Sequence, residues 1–292
     1  MNYFREGLDE RGYIDGRNIV VEFRFADGDP TRLYEMAAEL ASTDAIVLAD
    51  TAAITAARQT TQTTPLIMTV ASDPVGTGTV QSIARPGGNI TGLGTLSVEV
   101  MEKRLGYLRD TIPGLATIAV LWQRTGVSPL EWEKLETAAV NLDISLTSHE
   151  IQDQSEIDGA VARAAESGAR AMLVLATPMI QTNAPRIVSL ARERELPVMG
   201  TTPEWVTAGA LMAYAPPYPY IYNRAADFVD RIIKGSNPAE MPIELPVKFD
   251  FIVNTAAMTD FGLTLPERVK SDVTQTVSYA REDPPFTACQ SD

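Results

Sequence analysis

The run Ala45-Ile46-Val47-Leu48-Ala49-Asp50-Thr51 decides the fold. Five apolar residues in unbroken succession read as a strand buried on both faces, as a parallel sheet with helices above and below it requires. Asp50 and Thr51 then offer side-chain oxygens to the free N–H groups of a helix start. A helix over residues 52–59 and a second strand, Pro65-Leu66-Ile67-Met68-Thr69-Val70, follow. The pattern returns as Ala171-Met172-Leu173-Val174-Leu175-Ala176-Thr177-Pro178, a helix, then Leu196-Pro197-Val198-Met199-Gly200-Thr201. Each copy is strand, Thr at the turn, helix, X-Pro and short strand. Two such copies predict two lobes of one architecture, both doubly wound α/β units.

Outward from these copies the βα alternation covers most of the chain. Further strands are expected at residues 18–25, 117–122, 144–149, 209–214 and 247–253, where apolar runs are short and bounded by turn residues. Helices are expected from Tyr3 to a stop at Gly12, and over 29–40, 79–84, 99–111, 130–141, 155–166, 182–194, 221–234, 255–260 and 266–279. Residues 281–292 read as a loose tail. Three segments suit crossings between lobes: Asn89-Ile90-Thr91-Gly92-Leu93-Gly94-Thr95 by its small residues, the Tyr- and Pro-rich run 214–222, and Pro242-Ile243-Glu244-Leu245-Pro246 by its stiffness. One lobe then comprises residues 1–92 and 215–243, the other 93–214 and 244–292.

Composition excludes several classes. The 292 residues carry 24 Lys+Arg against 38 Asp+Glu, a formal net charge of −14. Binding to phosphate backbones or anionic lipid needs clustered Lys/Arg, so neither a nucleic acid nor a membrane surface is an expected partner. A single cysteine, Cys289, excludes an intrachain disulfide and a Cys-based zinc site, and a single histidine, His149, excludes HExxH chemistry. His149 reads as a surface or edge residue and Cys289 as an exposed bystander. The longest apolar runs fall far short of the ~18 residues of a membrane span. Gly76-x-Gly78 lacks the third glycine of a dinucleotide fingerprint, and no phosphate-binding GxxxxGK[ST] loop or GxSxG elbow occurs. No cofactor or metal is expected. Acid–base catalysis by two of the many carboxylates stays open, since no spacing singles out a pair.

In an open parallel sheet, ligands bind at the carboxyl ends of the strands, where helix N-termini present free N–H groups and partial positive charge. Here those ends carry Asp50-Thr51-Ala52-Ala53, Ser72-Asp73-Pro74, Trp122-Gln123, Thr177-Pro178-Met179 and Thr201-Thr202-Pro203-Glu204. Each Thr or Asp alone reads as an N-cap. As a set they also read as a site for an anionic group. The run Tyr214-Ala-Pro216-Pro217-Tyr218-Pro219-Tyr220-Ile221-Tyr222 is a rigid crossover packed on the lobes, a hinge whose rings stack on a ligand, or a docking patch.

Three longer motifs resemble a known family. They are Phe4 through Asn18 with its Gly12-Tyr13 and Gly16-Arg17-Asn18 turns, Asp73-Pro74-Val75-Gly76 through Arg85-Pro86-Gly87-Gly88-Asn89-Ile90-Thr91-Gly92, and Ala225 through Gly235 followed by Leu245-Pro246 and Asn254. They resemble the substrate-binding proteins of ABC transporters, in the branch with a type 1 periplasmic-binding fold that includes tryptophan and other aromatic amino-acid binders. The resemblance implies two lobes joined by three crossover strands and closing on a small molecule, without catalysis. It implies an ABC permease as partner, a monomer, and a periplasmic or exported location. By similarity, Asp50, Thr51, Ala52, Ala53, Ser72 and Asp73 line the first lobe. Trp122, Thr177, Pro178, Thr202, Glu204, Tyr214 and Tyr218 come from the second lobe and the crossover. The ligand is then amino-acid-like or an aromatic carboxylate. Family members begin with a leader and a first strand before the Phe4–Tyr13 helix, and this sequence opens on that helix; the expectation is a true start upstream. An enzyme with a carboxylate in the cleft and a ligand-sensing module of a signalling system are the alternatives.

Overall fold

Strand and helix signals alternate along the whole chain, and a computed structural model, which describes residues 2–26, 29–175 and 177–279, gives them this order. The first elements are α1 (Asn2–Glu10), α2 (Leu33–Leu40), β1 (Ile46–Leu48), α3 (Thr51–Thr60), β2 (Leu66–Ala71) and β3 (Ile90–Gly94). Next come α4 (Met101–Thr111), β4 (Thr117–Trp122), α5 (Ser128–Leu142), β5 (Ser145–Glu150) and α6 (Ile157–Glu166). They are followed by β6 (Met172–Val174), α7 (Pro178–Thr182), α8 (Ala184–Arg192), β7 (Val198–Gly200), α9 (Pro203–Thr207) and β8 (Met212–Ala215). The last are α10 (Tyr218–Ile233), β9 (Asp250–Asn254), α11 (Thr255–Asp260), α12 (Glu267–Lys270) and β10 (Gln275–Val277). Two units result: Met1–Leu96 with Pro216–Lys248, and Ser97–Ala215 with Phe249–Asp292. The chain therefore passes from one unit to the other three times, and neither unit is contiguous.

The first unit is built on a parallel sheet of order β1-β2-β3, with Ile46 opposite Leu66 and Leu66 opposite Ile90. Side chains alternate across a strand, and here the alternation assigns each residue its layer. Ile67 and Val47 pack with Phe4 and Leu8 of α1 and Ile221, Ala225 and Phe228 of α10. Ile46, Leu48, Leu66 and Met68 pack on the opposite face with Ala37 of α2 and Ile54 and Ala57 of α3. Helices cover both faces, so the strands can be apolar throughout. Close packing of α1 on α10 needs Gly7, where a Cβ would lie 2.7 Å from the Asn223 carbonyl oxygen. The returning segment is tied down as well: Thr91 Oγ1 donates to Met241 O (2.8 Å), and Arg224 grips Glu244 through Nε and Nη2 (2.8 and 2.7 Å).

The second unit holds a seven-stranded sheet of order β10-β9-β8-β7-β6-β4-β5, parallel except between β8 and β9. Its period-2 division is equally clear. Val120, Trp122 and Leu173 face Leu105, Leu108 and Leu135 of α4 and α5, and Ala119, Leu121 and Val174 face Ile157, Val161, Ile187 and Trp205. Ile118 through Leu121 are wholly buried, which accounts for the unbroken apolar run.

Three local expectations are corrected. Residues 18–25 form no strand; the backbone makes one bridge, Asp15 to Ile19, and Val20 is 77% exposed. An extended run becomes a strand only beside a ladder partner, and among the described residues none lies along it. Residues 79–84 form a series of bends, not a helix. The chain there is wound tightly, with Ser82 Oγ accepting from Arg85 N. Residues 266–279 divide into short α12 and strand β10, which extends the sheet beside β9. Cys289 and the tail from 281 lie outside the described residues.

His149 lies on edge strand β5, yet it is only 8% exposed, with Nε2 3.0 Å from Thr147 Oγ1. Burial, then the nearby Arg163, pushes its pKa below the ordinary 6.5. A lowered histidine pKa means that the unfolded chain takes up the proton first, so stability is present above pH 6.5 and is lost as pH falls below it. His149 is the sole histidine. Its imidazole signal in a proton NMR titration should have a midpoint below 6.5, and one at or above 6.5 would contradict the packing. Among the described residues, no helix is long and apolar enough to cross a membrane, and no three His, Cys, Asp or Glu side chains converge to hold a metal.

Candidate functional site

The carboxyl ends of the parallel strands gather the helix starts of each unit. In the first unit Leu48 lies opposite Met68, so the ends of β1 and β2 are neighbours and Asp50 and Asp73 come to the same edge of the sheet. Asp50 Oδ1 accepts from Ala53 N (2.8 Å) and caps α3. Thr51, Ala52 and Ala53 form the first turn, partly open to solvent. Asp73 closes a turn in the same manner, with Oδ1 accepting from Gly76 N (2.8 Å) and its carbonyl accepting from Thr77 Oγ1 (2.7 Å). A Cβ at Gly76 would overlap the Asp73 carboxylate, which would have to leave its cap to make room. Ser72 lies half-buried beside it. Both acids thus perform the capping role.

In the second unit Trp122 ends β4 and is 1% exposed. Its Nε1 donates to Ser148 Oγ (2.8 Å), its ring stacks on Trp132 at 5.1 Å, and the Arg124 guanidinium sits 4.6 Å from the ring centre. Arg124 in turn grips Glu150 (2.9 Å). The Trp122 ring is therefore committed to packing. Thr177 caps α7 and donates to Gln123 Oε1 (2.9 Å), while Pro178 is exposed at the first helical position. Thr202 precedes α9, but its hydroxyl accepts from Gln181 Nε2 (3.0 Å) instead of a helix N–H, and Gln181 Oε1 accepts from Trp205 Nε1 (2.7 Å). Glu204 projects exposed from the first turn. Tyr214 ends β8, half-buried among Tyr107 (5.3 Å) and Phe249 (5.2 Å). Tyr218 opens α10 in the other unit. The two tyrosines flank the chain crossing.

Three residues at this end of the second unit escape the motif reading, Ser97, Arg104 and Glu131, and they lie with Thr201 of the strand-end run 201–204. Arg104 on α4 is buried and donates from Nε to Tyr214 O (3.0 Å) and from Nη2 to Thr201 O (3.4 Å). Glu131 on α5 is 4% exposed, and burial pushes its carboxyl above the usual carboxylate range, against the opposing pull of Ser97 and Arg104. A signal for both was present. Arg104 interrupts the apolar stripe Met101, Leu105, Leu108, and Glu131 the stripe leading to Leu135 and Ala138, at helical spacing. A concavity of about 840 Å³ also opens in this unit, lined by Arg170, Pro197, Asp260, Phe261 and Leu263. Arg170 and Pro197 precede β6 and β7, so it lies at the amino ends of the strands, away from these groups.

Comparison with known proteins gives a consistent picture. The family described as ABC transporter substrate binding protein matches residues 1–277. A curated relative, the tyrosine-binding protein of Clostridioides difficile strain R20291, is 26% identical over 255 residues, covering 86% of this chain and 73% of the relative. Among solved structures, a conserved domain protein from Vibrio cholerae superposes with a TM-score of 0.89 at 25% identity, covering 94% of this chain and 93% of that one. An ABC domain from Streptococcus pneumoniae in complex with L-Trp gives 0.88 at 22% identity, with the same coverage. The α/β fold expected of the type 1 periplasmic-binding proteins is the one found. With nearly its whole length matched, the chain belongs to the ABC transporter substrate-binding protein family.

Proposed function

We propose that this chain is the solute receptor of an ABC import system and that its solute is an aromatic amino acid. The observation that carries the reading is the family match over residues 1–277, joined to a relative named as tyrosine-binding. The chemistry of the strand ends supports it. Helix starts at Thr51, Pro178 and Pro203 offer N–H groups to a carboxylate, and Asp50, Asp73 and Glu204 offer oxygens to an ammonium. The solute is held by these strand-end groups, and binding favours a closed state of the receptor because that state makes more contacts with it. The receptor works as a monomer on the outer side of the membrane, hands the solute to the permease subunits, and performs no chemistry on it.

A thermal-shift comparison tests this. At about a hundred times Kd, a ligand stabilises the folded state by ~2.7 kcal/mol, and at about 2–4 °C per kcal/mol the melting point should rise by several degrees. L-tyrosine, L-tryptophan and L-phenylalanine are the probes, with glucose as control. If none of the three raises the melting point, the proposal fails.

A further inference from the structure

We propose that the Thr202 hydroxyl donates to the carboxylate of the solute, and that Gln181 is the positioning residue that keeps it turned to that task. This inference rests on the function proposed above and names the side chain that recognises one end of the solute. Hydrogen-bond direction decides it. Trp205 on α9 is 0% exposed, and its one polar hydrogen, on Nε1, can only be donated. It meets Gln181 of α7 at 2.7 Å, so the receiving atom is the amide oxygen Oε1 and the other end of the amide is its NH2 group. That NH2 group lies 3.0 Å from Thr202 Oγ1 and has nothing to accept with. Thr202 Oγ1 therefore accepts, and its own hydrogen is directed elsewhere. A threonine before a helix ordinarily accepts from a first-turn N–H, and Thr202 makes no such bond. Among the described residues, no acceptor meets the Thr202 hydrogen.

Thr177, in the matching place after β6, shows the contrast. Its hydroxyl donates to Gln123 Oε1 (2.9 Å) and accepts from Ile180 N (3.5 Å), and the residue is 6% exposed. Both of its directions are spent. Thr202, after β7, has one direction left and is only half-buried, so solvent reaches it. β6 and β7 are neighbours, and exposed Pro178 and Glu204 open the helices that follow them. A donor without an internal acceptor suits a group that only accepts. On an amino acid the α-carboxylate is that group, and its charge strengthens the bond. Glu204, two residues on, serves the ammonium that an amino acid carries on the same carbon. Gln181 does not touch the solute. It acts through Thr202, with Trp205 holding its amide in one orientation.

The experiment is isothermal titration with L-tyrosine and with tyramine, which lacks the carboxylate (L-tryptophan and tryptamine replace them if the wild type prefers that pair). Thr202→Val keeps the shape and removes the hydrogen. It should lose about 10-fold or more in affinity for the amino acid, with little change toward the amine, and Thr202→Ser should stay near wild type. Gln181→Glu keeps an acceptor for Trp205 but offers Thr202 an oxygen in place of the NH2 group, so the Thr202 hydrogen turns inward. It should weaken amino-acid binding as well, and adding it to Thr202→Val should cost little more. Unchanged affinity in Thr202→Val, or equal losses for the amino acid and the amine, would overturn the subsite. Full additivity of the two substitutions would overturn the positioning role of Gln181. A wild-type chain that binds no aromatic amino acid would overturn the functional reading together with the subsite.

Discussion

Gly92→Ala should cost the first unit at least about 3 kcal/mol, read as a large fall in the urea midpoint of its unfolding. Gly92 lies in the middle of β3, opposite Met68 of β2, and its φ of +129° is a conformation that side-chain-bearing residues rarely adopt. A Cβ there would overlap the Met68 carbonyl oxygen and lie 2.5 Å from the Met68 nitrogen. Both atoms are main chain in the central strand of a three-stranded sheet, so no side chain can swing away to make room. The pairing of β2 with β3 also shifts register just beyond this point, between Met68 and Ala71. The glycine is what lets the two strands approach there. A variant with a wild-type midpoint would show that this close approach does not exist.

Arg104→Met should destabilise the second unit by about 3–5 kcal/mol. Methionine preserves the apolar stem but removes the donors to Tyr214 O and Thr201 O and leaves Glu131 buried without its neighbouring cation. The loss should also depend on pH. Burial raises the Glu131 pKa above its ordinary 4.5, so the folded unit holds a proton that the unfolded chain has released. The stability of the protonated acid is therefore present below pH 4.5 and is lost as pH rises through the raised folded value. Without Arg104 that decline should steepen, and adding Glu131→Gln to Arg104→Met should recover part of the loss. Denaturant midpoints at pH 4.5 and pH 7.5 check both statements. Equal losses at the two pH values, with no recovery in the double variant, would remove Glu131 from the account.

The parallel sheets were legible because buried strands leave unbroken apolar runs, as residues 45–49 and 171–175 do. The capping roles of Asp50, Asp73 and Thr177 were legible for a local reason: each bond closes within three residues. What was hidden depends on distant partners. Residues 18–25 carry strand-like chemistry, but a strand is defined by its neighbour. The pairing of α1 with α10 joins segments more than two hundred residues apart, exemplified by Asn223 Nδ2 donating to Glu10 Oε2 at 3.0 Å. The split of residues 266–279 follows from β9 offering its edge to β10. At the candidate site, motif reading favoured residues next to helix starts and passed over Arg104 and Glu131, whose importance lies in being charged on faces that are otherwise apolar. Trp122 shows the converse: an aromatic residue at a strand end invites a stacking role, but its ring is taken up by Trp132 and Arg124.

The most direct test of the receptor account is an isothermal titration of the purified chain with L-tyrosine and L-tryptophan, with the solute recovered and analysed afterwards. The account predicts saturable binding of at least one of them, at one molecule per chain, with the amino acid returned chemically unchanged. Absence of binding by every aromatic amino acid, or recovery of a converted product, would contradict it.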